Sequence, residues 1–488
     1  MTVDTKHPYY ELVAPDWEMI RDTLEGQTVI RSKNTQYLPM PPGMHVQGTL
    51  IKASNKASSS IRSNDRYEFF KSFAEFPEIV GPALDGMQGI LHAKPPEVEL
   101  PPRMQYLIDR ATPDGDTLNM LWENITREVM TTGRLGLLCE VFGDQILLCK
   151  YKAESIINWW LAPNREGGDP LFVVLEEVTQ RQKEDEEFVL EDVSMYRVLK
   201  MLNGVYQVEV WIKEDGKDPE RVDLSTQFET NEFGNVVPVL FGQPFFNIPL
   251  YIVTASAPGF DPSPVPMLPL SRRAISIYQK NATYGRSLYM KGDPTIVITG
   301  VDPEKAPTTV GGSSLWTFGS SEARATMLDI DGKGIPMQRD AINDEYDRFF
   351  QETGRLLDTH DKVNISGEAI RRRQQSKQVT LVSLAMNTGD DFEKVLKKVA
   401  VLLGEDPSKV IFTPNTDFAE ASMSGQELLE LITAKIQGAP ISNETIHWLM
   451  KKRGLTNKDY NEEKELVDQD GPPLGAETGD DDPIVDDE

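Results

Sequence analysis

Cysteine is nearly absent: Cys139 and Cys149 are the two in 488 residues. They are too few for a disulfide framework and lack the paired spacing of a structural zinc site, so packed thiols in a reducing compartment are expected. Histidine is scarce too, and His7, His45, His92, His360 and His447 never pair at a metal-ligand spacing. No run approaches the ~18 apolar residues of a membrane span. Residues 1–16 hold acidic and polar side chains where a secretory signal needs an apolar stretch. A soluble chain made in a cytoplasm is the expectation.

Catalytic signatures are missing as well. No Gly-x-x-x-x-Gly-Lys-Ser/Thr occurs, and Gly311-Gly312 lacks the Lys that would follow, which excludes ATP hydrolysis through a P-loop. Asp329-Ile330-Asp331-Gly332 lacks the further oxygen ligands of a calcium loop and reads as a turn. The Gly-Asp-Asp strings at 389–391 and 479–481 do not lie between strands, as a two-metal carboxylate pair would. No enzyme, cofactor or metal centre is expected. The catalytic rival, magnesium on Asp329 and Asp331, predicts turnover that Asp329→Ala abolishes.

What the chain has in excess is negative charge, a net −27. Residues 461–488 hold twelve Asp or Glu against one Lys, a net −11 that leaves −16 on the rest. Phosphate neutralisation needs Lys and Arg, so this balance opposes tight nucleic-acid binding. It suits a solvated surface, a basic partner, or a passage that repels DNA and lets it slide. At 39% hydrophobic residues and this length, two or more domains are expected.

Residues 1–60, rich in Pro, Ser and Asn, read as an arm with little regular structure. Helical spacing begins near Asp65, and a further helix runs from a cap at Asp116 or Thr117 to a stop at Gly133. The period then turns to β: 135–141 and 145–151 flank Gly143-Asp144, and 195–202 and 205–212 flank Asn203-Gly204, a type I′ dipeptide. Of Trp159 and Trp160, one is expected in the core. After Pro258, Pro262, Pro264, Pro266 and Pro269, Ser271 is the expected cap of a helix to about Lys291. Short strands follow at 295–299, 314–318 and 326–330, then a helix from near Pro336 with Ile342, Tyr346, Phe349, Thr353 and Leu356 on one face. A polar loop at 358–366 leads to the basic group Arg371, Arg372, Arg373 and Lys377, read as a solvated or subunit-pairing helix start. The long helix after it, from Leu381 to Leu402, is expected to kink at Gly389. Ser424 and Glu427 form a capping box that opens a helical hairpin, and the acidic tail should be disordered.

This order of elements resembles the portal proteins of tailed bacteriophages. The segments Glu154-Ser155-Ile156-Ile157-Asn158-Trp159, Gly292-Asp293-Pro294-Thr295 through Gly300, Ser366-Gly367-Glu368-Ala369 and Ile441-Ser442-Asn443-Glu444-Thr445 carry the likeness, which spans roughly 67–453. The resemblance implies an α+β portal fold: an N-terminal arm (1–60), a wing (61–265), a first stem helix (266–291), a β-rich clip (292–335), a second stem helix (336–357) and a tunnel loop (358–366). A long helix returning to the wing (367–420), a helical crown (421–454) and an acidic disordered tail (455–488) complete it.

By the same resemblance, the chain forms a ring of twelve at one capsid vertex, passing double-stranded DNA during packaging and ejection. The implied partners are terminase, major capsid protein, scaffolding, and head-completion or tail adaptor proteins. The implied location is the virion, after assembly in the host cytoplasm. His360, Asp361, Lys362 and Asn364 would lie nearest the DNA; Arg339, Asp340, Asp344, Asp347 and Arg348 would form the channel face of the stem; Trp316 and Phe318 would dock partners at the clip. A capsid-associated oligomeric adaptor or scaffold without a DNA channel is the alternative.

Overall fold

The computed structural model describes residues 2–42, 63–162, 169–183, 186–214, 216–226, 228–256, 259–293, 295–302, 306–307, 315–328, 332–356, 380–416, 442, 444, 447 and 458–470. They divide into two compact units, 1–416 and 417–488.

Over residues 2–42, the described part of the expected arm, regular structure dominates: helices α1 (Pro8–Glu25) and α2 (Gln27–Ser32) lie there. Pro8 sits in the first turn, where a missing N–H costs nothing, and His7 Nδ1 accepts from the Tyr9 N–H. Tyr10, Trp17 and Ile20 are buried. Of the prolines that suggest an arm, Pro39, Pro41 and Pro42 cluster after α2, while Pro8 opens α1 and Pro15 lies inside it.

Next come α3 (Ser63–Ser72), α4 (Val80–Leu91), β1 (Glu97–Glu99), α5 (Tyr106–Asp109) and α6 (Leu118–Thr132). The α6 boundaries follow its caps: Thr117 accepts from the Met120 N–H, and Gly133 is left-handed at φ 84°.

Two sheets follow. Strands β2 (Arg134–Phe142) and β3 (Gln145–Lys152) form the expected hairpin. Cys139 pairs with Leu148, and Cys149 with Leu138, so the two thiols point to opposite faces and both are free. The second sheet contains β4 (Ile156–Leu161), β5 (Pro170–Lys183), β6 (Glu186–Leu202), β7 (Val205–Lys213) and β8 (Glu220–Arg221), in that order. Asn203 and Gly204, at φ 53° and 79°, make the predicted two-residue turn between β6 and β7. Strands β9 (Val239–Leu240) and β10 (Gln243–Pro244) form a small hairpin, and β11 (Leu250–Thr254) joins the first sheet beside β2.

One buried cation ties α1 to both sheets. The Arg134 guanidinium lies 5.1 Å from the Trp17 ring and 4.9 Å from that of Trp159, and donates to the carbonyls of Ala153, Ile156 and Phe260. Burial lowers its pKa to about 10 against the pull of Glu154, Tyr10 and Asp261. Trp159 is thus core, with the His7 ring stacked at 4.0 Å, whereas Trp160 is exposed.

The remaining elements of this unit are α7 (Leu268–Gly292), β12 (Thr295–Thr299), β13 (Arg324–Leu328), α8 (Gly334–Leu356), α9 (Leu381–Leu402) and β14 (Ile411–Thr413), which pairs with β1. Phe392 of α9, Trp122 of α6 and Phe412 of β14 meet at 4.9–5.9 Å between ring centres. Helix α9 runs through Gly389 uninterrupted. The glycine provides room there, since a Cβ would come within 2.6 Å of the Pro414 ring. Asp391 of α9 accepts from the Thr254 N–H at 3.3 Å and from its hydroxyl at 3.1 Å, anchoring the helix to β11.

The second unit contains α10 (Tyr460–Asp470), where a disordered tail was expected. Glu462 and Glu463 favour the positive end of the helix, and Glu462 accepts from the Asp459 N–H. The ring of His447 lies 5.5 Å from that of Tyr460. The Ser424–Glu427 box and residues 471–488 lie outside the described residues.

Candidate functional site

The expected stem elements form a helical hairpin. Helix α7 begins at Leu268 with Pro269 in its first turn, earlier than a Ser271 cap allows. Ser271 lies inside it, buried, its hydroxyl 2.9 Å from that of Thr23. Helix α7 contains Arg272, Arg273, Lys280, Arg286 and Lys291 and no acidic residue; α8 contains Asp340, Asp344, Glu345, Asp347 and Glu352 against Arg339, Arg348 and Arg355.

That asymmetry joins the helices. Arg273 donates to Glu352 at 3.1 Å and to Glu345 at 3.2 Å, while Lys280 donates to Glu345 at 2.8 Å and to the Ala341 carbonyl at 3.2 Å. Partners descend along α8 as they rise along α7, so the helices are antiparallel. Burial alone would raise the Glu345 carboxyl, but Lys280 and Arg273 hold it below the usual carboxylate value.

The outer side of α8 differs. Asp340, Asp344 and Asp347, spaced by four and three, share the side away from buried Ile342, Glu345 and Phe349, and all three are exposed. Of the five residues assigned to the channel face, these form one acidic stripe. Arg339 lies 3.8 Å from Asp340, while Arg348 reaches back to Glu345 at 3.5 Å.

Between the helices, β12 and β13 pair from Thr295↔Leu328 to Thr299↔Arg324, and every β13 side chain is exposed. Residues 315–318 form no strand, so Trp316 and Phe318 sit half-buried in irregular backbone rather than on a sheet. The tunnel-loop candidates His360, Asp361, Lys362 and Asn364 lie outside the described residues, as do the 371–377 basic group, Asp329 and Asp331. Among the described residues, no group of three or more His, Cys, Asp or Glu could hold a metal ion, and no helix is long and apolar enough to cross a membrane.

The functional reading of the sequence missed Glu345, Arg273, Lys280 and Glu352. A signal existed, because Glu345 and Glu352 are seven apart on α8, as Arg273 and Lys280 are on α7, so each pair shares a face.

Residues 266–401, from the start of α7 through α9, match a domain of unknown function, DUF4055. No curated protein matches the chain. Among solved structures, it aligns with a chain from the neck of an empty gene transfer agent (GTA) particle computed with C6 symmetry, at 12% identity and a TM-score of 0.38. It also aligns with chains from the virion of a native GTA particle (13%, 0.37) and from the neck of a native GTA particle computed with C12 symmetry (13%, 0.36). Each alignment covers 76% of this chain and 89% of the other.

Proposed function

We propose that this chain is the ring-forming subunit of a phage portal, a non-enzymatic channel for double-stranded DNA at one capsid vertex. The observation that carries the reading is the α7–α8 hairpin: two long helices bracket a small β insert, and α8 turns Asp340, Asp344 and Asp347 outward. A bore lined by such stripes repels phosphates, so a moving duplex meets no strong, sequence-dependent hold. The inner ion pairs brace each hairpin, while on its outer side the exposed Arg339 and Arg348 flank the aspartate stripe, so no uniformly basic surface is offered to DNA. In this reading, translocation energy comes from a terminase ATPase, and the exposed β12–β13 hairpin is the surface offered to terminase and later to head-completion or tail adaptor proteins. The assembled virion is the corresponding location.

Electron microscopy with native mass spectrometry of the purified chain tests the proposal. Closed rings of about a dozen subunits, with a bore wider than the ~20 Å a duplex needs, are expected. The Asp340→Lys, Asp344→Lys, Asp347→Lys triple variant should keep the ring but hold DNA with a steeper salt dependence, up to ~0.9 per added phosphate contact. A compact closed dimer without a bore would overturn the reading.

A further inference from the structure

Strands β5 and β6 outrun their neighbours. Pairing with β4 ends at Leu175 and pairing with β7 begins at Ser194, so from Glu176 to Lys183 and from Glu186 to Val193 the two strands have only each other. Val178 pairs with Ser194 and Gln182 with Leu190, which places Val178, Phe188 and Leu190 on one face of this ribbon. They are 71%, 92% and 60% exposed. Residues 183–192 hold six acidic residues and one lysine. On that face the hydrogen-bonded Gln180 and Asp192 separate Val178 from Phe188 and Leu190, which stand as exposed apolar side chains on a ribbon unpaired on both sides.

A second unpartnered surface lies elsewhere on the chain. Residues 233–260 contain no Asp, Glu, Lys or Arg, in a protein where these make up 26%. The β9–β10 hairpin within that stretch exposes Val239 (50%) and Phe241 (57%), with Phe246 just beyond it (66%). The Arg103 guanidinium stands 6.0 Å from the Phe241 ring; it donates to the Leu403 carbonyl at 2.9 Å and lies 3.8 Å from Glu405, yet its side chain stays 62% exposed beside this apolar surface.

The two surfaces cannot meet within one molecule. Tyr206, opposite Met201 at the far end of β6, donates its N–H to the Phe245 carbonyl, which fixes the β9–β10 hairpin at that end. Phe188 and Met201 are thirteen residues apart on one strand, about 40 Å at ~3.3 Å per residue. We infer that the ribbon face of one copy (Val178, Phe188, Leu190) docks on the β9–β10 surface of a second copy, with Arg103 opposite Asp192 of the same ribbon face. The patches differ, so the contact is head-to-tail and each copy keeps one free end of each kind until a ring closes. The contact does not depend on DNA passage.

Phe188→Asp and Phe241→Asp in the full chain test this, read by native mass spectrometry and light scattering, with circular dichroism as the fold control. Each variant alone should lose the wild-type oligomer. Mixed in equal amounts, they should form a one-to-one pair and nothing larger, because only one intact ribbon meets one intact hairpin. Arg103→Gln should weaken assembly and make it less sensitive to salt. A wild-type chain that stays monomeric, a single variant that assembles normally, or a mixture that stays monomeric would each overturn the inference. Rings with a bore that survive both substitutions would sink this contact and leave the portal reading standing. Variant-sensitive filaments would do the reverse.

Discussion

Glu345→Ala removes the carboxylate that accepts from Lys280 at 2.8 Å and from Arg273 at 3.2 Å. Breaking a fully buried ion pair costs ~3–5 kcal/mol, because the remaining charge is stranded. Here the carboxylate is 6% exposed, but its partners are 34% and 36% exposed and can turn toward water. Arg273 also keeps Glu352, so the expected loss is ~2 kcal/mol. In a double-mutant cycle with Arg273→Ala, the coupling should be about 1 kcal/mol. Urea unfolding at constant m-value measures both. The folded carboxyl titrates below its ordinary value of 4.5, so this stabilisation is whole above that pH and falls away as pH drops through the folded value. A loss under ~0.5 kcal/mol, or coupling within ~0.3 kcal/mol of zero, would refute the view that these pairs hold the hairpin.

Three further outcomes are expected. Gly389→Ala gains ~1 kcal/mol of helix propensity but drives a Cβ into Pro414, for a net loss of ~1–2 kcal/mol that Pro414→Ala should relieve. Burial lowers the His92 pKa to about 4, so its neutral form stabilises the fold fully above pH ~6.5 and progressively less down to about 4. With the ring partly open to solvent, the contribution at stake is on the order of 1–2 kcal/mol, and His92→Gln should flatten the stability profile over that window. Asp340→Asn with Asp344→Asn removes a like-charge pair four residues apart and should raise thermal stability by ~0.2–0.5 kcal/mol, measured by calorimetry.

Local chemistry made much of the fold legible. The Asn203-Gly204 turn, Thr117 and Gly133 around α6, and the apolar period of α8 are each set by residues close in sequence, and each element lies where that chemistry puts it. The failures depend on distant contacts. Gly389 reads as a helix breaker until Pro414 lies against it, and α1 reads as an arm until Trp17 and Ile20 find a core to enter. Ser271 has the right chemistry for a cap, yet Thr23, far back in the sequence, takes its hydroxyl. At the candidate site, the outward aspartates could be read from spacing alone. The inward pairs required knowing that α7 and α8 face each other.

The setting of Arg134 also bears on the order of folding events. Its guanidinium is held by Trp17 from α1, by the carbonyls of Ala153 and Ile156 before and within β4, and by Phe260 more than a hundred residues later. None of these groups can satisfy the cation alone, and all must arrive before it can leave water. The site is therefore expected to close late, after the rate-limiting barrier to folding. Arg134→Met should leave the refolding rate nearly unchanged and speed unfolding, so the residue governs how long the native state lasts rather than how fast it is reached.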